Sequence, residues 1–272
     1  MSTWNFMDAS SKETLLDLVR REAEGMFALV ATDEAWGGPT AAGEWTAANV
    51  VGHLVDTTET YFVGFDAAAG KGEGPAPVPL TDMAVHVDAG ARQLEAVPRA
   101  ELIERLRTAL ARELEIFEGL SAEEWMGLQV PHKYMGPLPA AFYPVFALVD
   151  YTLHSWDIRE GLGRPHALAA DSADMLIPLC NILWANTVAR TPAEKPIEVG
   201  INITSGAHAG GIRMTLGAEG LQQEPGSLEG VETVIDFDPA SFVLTAYGRI
   251  NAGTVNGDTT VAAEFLSSFY RI

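Results

Sequence analysis

Positive charge is scarce in this 272-residue chain: 17 lysines and arginines stand against 37 aspartates and glutamates, a formal net charge of −20. No cluster gathers the few cations, which argues against a nucleic-acid surface. An anionic membrane surface is disfavoured for the same reason. Cysteine is nearly absent. The single Cys180, in "MLIPLCNILWAN", allows no disulfide within the chain, and its apolar neighbours mark a buried hydrophobe rather than an activated thiolate. No apolar run approaches the ~20 residues that span a bilayer. The opening "MSTWNFMDASSKETLL" lacks a basic stretch followed by an apolar one, so a cytoplasmic protein without a secretory leader is expected. Internal repeats and low-complexity tracts are missing as well.

Apolar residues are plentiful, at 47%, with 20% charged; this is a globular composition that can bury a core. Helical periodicity marks residues 10–31, a helix starting at Thr46, residues 82–96 and 100–118 around Pro98, and 139–161. Together they predict a helical bundle over 1–165. "DEAWGGPTAAGEW" and "SAEEWMGLQVPHKYMGPLPAA" read as loops, the second opening with a short helical turn. A connecting helix is expected within 166–195. Then the pattern changes: "KPIEVGINIT", "GIRMTLG" and "ETVIDFD" alternate like half-buried strands. Asp238 and Pro239 start a short helix, and "VAAEFLSSFY" closes the chain as another. The stretch 196–272 therefore reads as a small α+β domain.

Chemistry gathers in "DYTLHSWDIREGLGRP", residues 150–165. Asp150, His154 and Asp157 fall on one stripe of an otherwise apolar helix, and buried polar groups are costly unless paired. Spacing of i, i+4 aims Asp150 and His154 at the same point. His53, in the apolar "VVGHLVDTTETYF", is the candidate for a third ligand from another helix. Two imidazoles and a carboxylate suit Zn²⁺ first, with Ni²⁺, Fe²⁺ and Mn²⁺ also compatible. Three protein ligands leave an open position, the catalytic pattern. A plain Asp150–His154 hydrogen bond is the competing explanation. His132, His166 and His208 are expected to be solvated, and His86 to face either way.

Two longer stretches carry a resemblance. "GEWTAANVVGHLVDTTETY" is similar to the first ligand helix of the DinB-like superfamily, and "GPLPAAFYPVFALVDYTLHSWDIREGLGRP" to its fourth. Within it the chain resembles the mycothiol-dependent maleylpyruvate isomerase family, which adds a sterol-carrier-like C-terminal α+β domain; the tail "VIDFDPASFVLTAYGRINAGTVNGDTTVAAEFLSSF" looks like that domain. The resemblance implies that His53, Asp150 and His154 hold the metal and that mycothiol is a thiol cosubstrate. It matches Asp157 to a family acid one turn beyond the ligand, read as support behind the metal ligands or at the helix terminus, to Arg159 or Arg164. It matches Arg249, in "TAYGRI", to an arginine that holds an anionic substrate, with Arg92 as a second by region alone. Those isomerases carry Glu where this chain has Asp150, one methylene shorter.

Three functions compete. The first is a metal-dependent enzyme that activates a thiol against a small electrophile, as S-transferase or cis–trans isomerase. The second is a non-catalytic small-molecule or lipid carrier. The third is a metal-dependent hydrolase. The first and third require the donor atoms of His53, Asp150 and His154 to converge to about the ~4 Å that a shared ion allows. A structure that holds these donors much farther apart rules both out.

Overall fold

A computed structural model describes residues 4–164, 166–192 and 195–270. The expected domain limit at Pro165 lies outside these residues. The chain divides into two compact units, Met1–Ala167 and Leu168–Ile272.

In the first unit, helix α1 covers Lys12–Val30, the short α2 Asp33–Gly37, α3 Ala47–Ala68, α4 Met83–Gln93 and α5 Arg99–Gly119. A short α6, Ala122–Gly127, leads into a hairpin of β1, Gln129–His132, and β2, Gly136–Pro139, and then into α7, Phe142–Gly161. The four long helices close a ring: α1 packs on α7, α7 on α3, α3 on α5 and α5 on α1. Leu15, Val19, Met26 and Val30 bury the inner face of α1 at the spacing its sequence shows. Lys12 ties the start of α1 to the end of α5, its ammonium donating to the carbonyls of Glu118 and Leu120 at 2.6 Å each. Pro98 separates α4 from α5 as the N-cap of the latter, with φ −55° and ψ 137°, so two helices stand where a kink is also conceivable.

α4 lies against α3 at unusually short range. A Cβ on Gly52 would stand 2.8 Å from the carbonyl oxygen of Ala91, so only glycine fits there.

Two loop expectations are corrected. "DEAWG" forms α2, capped by the Thr32 hydroxyl, and "QVPHKYMGPLP" forms the hairpin. Three prolines and an exposed turn hide its strands from any alternation test. The hairpin also overturns the expectation that His132 is solvated. β1 packs on α3, and His132 is only 8% exposed among the rings of Tyr61, Tyr143 and Phe146.

In the second unit, α8 is Ala170–Asn186, followed by β3, Ile197–Ile203, β4, Gly210–Gly217, β5, Gly220–Pro225, β6, Val234–Phe237, α9, Pro239–Ala246, β7, Thr254–Asn256, and α10, Thr259–Leu266. The sheet runs β5-β4-β3-β6-β7, with β3 and β6 parallel and the other pairs antiparallel. Val199, Ile201 and Ile203 alternate inward from β3, as read from the sequence. α8 packs on α9, and Trp184 gathers Phe242, Phe265 and Phe269 around it. Asp238 caps α9 by accepting from the N–H groups of Ala240 and Ser241. Strands β5 and β7 escape the sequence reading because both lie at the sheet edges and carry mostly exposed, polar residues. Cys180 is fully buried and burial pushes its thiol far up, in keeping with an inert side chain. Among the described residues no helix is long and apolar enough to cross a membrane.

His132 sets a pH dependence. Its Nδ1 accepts from the Tyr134 N–H at 3.2 Å, and burial lowers its pKa to about 4 from 6.5. Its contribution is therefore complete above pH 6.5 and is lost as pH falls from there through about 4, because the unfolded imidazole takes up the proton first. The loss amounts to roughly 3 kcal/mol. Thermal midpoints measured between pH 7 and pH 4 should fall less steeply for His132→Gln than for the natural chain; parallel curves would refute the assignment.

Candidate metal centre

Two helices bring one histidine each to the same point. α3 starts at Thr46, whose hydroxyl accepts from the Asn49 N–H while the Asn49 side-chain oxygen accepts from the Thr46 N–H. This capping box fixes where the helix begins, and hence which face His53 shares. On α7, Pro144 sits in the first turn, where its missing N–H has no partner to lose. The helix ends when Gly163 turns left-handed at φ +63°. The N–H of Gly163 then donates to the Glu160 carbonyl at 2.9 Å, and that of Arg164 to the Arg159 carbonyl at 3.2 Å, a Schellman closure. Between these ends Asp150 and His154 lie one turn apart.

His53 Nε2 is 3.8 Å from Asp150 Oδ1. The imidazoles of His53 and His154 meet edge to face, with centroids 5.0 Å apart. One donor atom from each of the three residues lies within 4.8 Å of the others. Ligands around one ion at ~2.1 Å are spaced roughly 3–4 Å, so side chains closing on it move by about an ångström at most. Both histidines are buried, while Asp150 is half-buried and marks the open side.

The far nitrogen of each ring is already engaged. His154 Nδ1 is 2.9 Å from Asp157 Oδ2, and His53 Nδ1 is 3.2 Å from the Thr57 hydroxyl. With Nδ1–H donating to these oxygens, each Nε2 lone pair is left for an ion, the arrangement that orients ligand histidines. Burial lowers the pKa of His154, against the opposing pull of Asp157, which favours the neutral imidazole that coordination needs. The donor set, its spacing and its supporting bonds thus fit a divalent metal.

A loop covers the histidines from the side. Gly161 has no Cβ, which would otherwise strike the carbonyl of Pro39. The chain passes there closely enough for the Ala41 N–H to donate to the Asp157 carbonyl at 2.8 Å. Thr40 then donates to the Trp45 carbonyl at 2.6 Å, and the Trp45 indole packs at 5.2 Å from His53 and 6.0 Å from His154.

The structure thus brings together His53, Asp150 and His154. It also places the Asp157 carboxylate against His154 Nδ1, while Arg164 pairs with Glu34. Spacing of i, i+3 on one helix face makes His154 the nearer group. Arg92 is engaged by Asp88, its Nε 3.0 and 2.9 Å from the two carboxylate oxygens. Arg249 belongs to the second unit, in the turn after α9, where its guanidinium donates to the Tyr247 carbonyl at 3.1 Å. His86 is exposed.

Sequence reasoning missed Glu113. It is 1% exposed, and neither carboxylate oxygen has a hydrogen-bond partner. Its position in the stripe of Leu102, Leu106, Ala109, Leu110 and Phe117, all buried on α5, was the available signal. Burial first, and the charge of Asp150 second, raise its pKa well above the usual carboxylate range. The neighbouring Tyr151 hydroxyl, also buried without a partner, is raised by burial and by Glu113 and Asp150.

Comparison with known proteins follows the same lines. The family described as "Mycothiol maleylpyruvate isomerase N-terminal domain" matches residues 18–159. Two solved structures of the mycothiol-dependent maleylpyruvate isomerase share the fold. One, a histidine-to-alanine mutant, is 14% identical with a TM-score of 0.60. The other is 16% identical with a TM-score of 0.59. In both cases the match covers 90% of this chain and 92% of the other. No curated protein matches.

Glu113 yields a prediction with a definite sign. Its folded pKa is raised, so below the unfolded value near 4.5 it carries no penalty, and the penalty grows as pH rises above that value. Glu113→Gln removes the titration. The variant's gain in thermal midpoint over the natural metal-free chain should widen steadily from pH 4.5 to pH 8. A gap that stays constant with pH would show that the carboxylate is solvated.

Proposed function

The chain belongs to the family of the mycothiol maleylpyruvate isomerase N-terminal domain, and on that premise we propose that it is a metal-dependent enzyme that directs a low-molecular-weight thiol at a small electrophile. The observation that carries the reading is the convergence of His53, Asp150 and His154 with both distal ring nitrogens already bonded. Zn²⁺ suits the donors best, with Ni²⁺, Fe²⁺ and Mn²⁺ compatible. A divalent ion held there supplies the Lewis acidity that keeps a thiol in its thiolate form at neutral pH.

The protein's own residues do the rest. His53, Asp150 and His154 hold the centre, with Asp150 on the side open to a cosubstrate. Asp157 holds the Nδ1 proton of His154 and keeps that ring from turning. Arg249 is proposed to neutralise an anionic group on the electrophile. Mycothiol is the proposed thiol. In an isomerase, its sulfur forms a C–S bond to a conjugated cis double bond and the π electrons shift to the adjoining carbonyl. Rotation about the resulting single bond follows, and the C–S bond breaks again. In an S-transferase the carbon takes a proton and the adduct is the product. Asp150, one methylene shorter than the glutamate of the resembling isomerases, points to the S-transferase or to an isomerase with a different substrate.

Elemental analysis of protein purified with added Zn²⁺ should give about one ion per chain. His154→Ala should lose it and retain the helical circular-dichroism signal. Consumption of a generic electrophile should require mycothiol and fall at least ~100-fold in His154→Ala. The reading fails if the natural chain binds no stoichiometric metal after supplementation. Equal consumption with and without the thiol would favour hydrolysis.

A further inference from the structure

The indole of Trp45 is held from two directions. Its ring packs beside both ligand rings, tilted to each, with centroids 5.2 Å from His53 at 46° and 6.0 Å from His154 at 34°. Its one donor, Nε1–H, donates to Asp88 Oδ1 at 2.8 Å. Asp88 is itself clamped by Arg92, at 3.0 and 2.9 Å from Nε. The Trp45 hydrogen bond, then that from Arg92, hold the Asp88 carboxyl below the usual range, so it is an anion at neutral pH. All of this hangs on α4, a mostly exposed helix that reaches α3 through the bare backbone of Gly52 and Gly90. Gly52 directly precedes the ligand His53.

The ligand rings are therefore fixed at two points each. Hydrogen bonds to Thr57 and Asp157 set the Nδ1 side, and the indole packs against each ring. We propose that Asp88 and Trp45 form a positioning pair for the centre, in which the Asp88 carboxylate pins the indole so that both imidazoles stay aimed at a divalent cation. The inference rests on the metal reading above and adds two residues and a helix to it. It also gives Arg92 a place: it holds Asp88 and thereby acts through Trp45. Because the indole N–H is spent on Asp88, Trp45 offers the two imidazoles no N–H donor.

Zn²⁺ affinity of the full chain, measured by competition with a chromophoric chelator, tests the pair. Removing a group that orients a metal ligand typically weakens binding 10–100-fold. Asp88→Ala should weaken Zn²⁺ about 10-fold and speed its release to excess chelator. Asp88→Asn should stay within about threefold of the natural chain, since its amide oxygen still accepts from the indole. In a Trp45→Phe background, Asp88→Ala should have no further effect, because the ring there has no N–H to hold. Circular dichroism and thermal midpoint identify a variant that is merely misfolded, in which case Asp88→Asn and Trp45→Phe carry the test. Three results overturn the pair. One is Asp88→Ala binding Zn²⁺ as tightly as the natural chain. Another is Asp88→Asn being as weak as Asp88→Ala, which would make the effect one of charge. The last is additivity in the double variant. A natural chain that binds no Zn²⁺ overturns the metal reading itself, and the pair with it.

Discussion

Two imidazoles stand edge to face inside a ring of apolar helices, and their four nitrogens must all be answered. Asp150, half-buried, is the most exposed of the three donors. Thr57 and the fully buried Asp157 answer the Nδ1 atoms. His53 Nε2 stands 3.8 Å from Asp150 Oδ1, and one donor atom of His154 lies within 4.8 Å of both residues' donors, where a shared divalent cation would answer all three. Most of the first unit follows from keeping that arrangement. The capping box fixes the start of α3, the Schellman turn fixes the end of α7, and the Gly52 contact brings α4 within reach of the indole. An apolar bundle of this kind holds together without any of these features; what they add is one orientation for two rings.

Charge inside the bundle is handled in two ways. The fully buried carboxylate of Asp157 is bonded to the imidazole of His154. Glu113 is buried against no partner, and it is the neutral carboxylic acid that burial favours. Both acids lie on apolar stripes of their helices, yet only the first sits where its charge can be compensated. The difference comes from what the facing helix offers, which no single helix reveals about itself.

That is also the line between what the residues foretold and what they did not. The apolar stripe of α7 interrupted at Asp150, His154 and Asp157 was visible because i, i+4 and i+7 spacing is a property of one helix. His53 stood out as an imidazole in an apolar run, and the switch to period-two alternation after residue 196 announced the sheet. Asp157 was legible as a supporting acid, but a ring three residues back is a less obvious partner for it than the arginines two and seven residues on. The hairpin was hidden by prolines, the edge strands by their polar faces, and Glu113 by the surrounding charges in "LARELEIFEG". Trp45 stands in the stretch similar to the first ligand helix, but its partner Asp88 lies 43 positions away, beyond any local pattern.

Gly161 has a consequence for the order in which this unit is assembled. The loop that carries Trp45 is moored to the end of α7, more than a hundred residues downstream, through the bare backbone at Gly161 and the carbonyl of Asp157. Asp150 and His154 arrive on that same helix. A chain emerging from its N-terminus therefore holds a lone histidine on α3 and an unmoored tryptophan until α7 docks, and contacts so distant in sequence close late. Two of the three donors, the ring that steadies them and the mooring of its loop are thus delivered in one event. All three donors meet only once α7 has docked against α3.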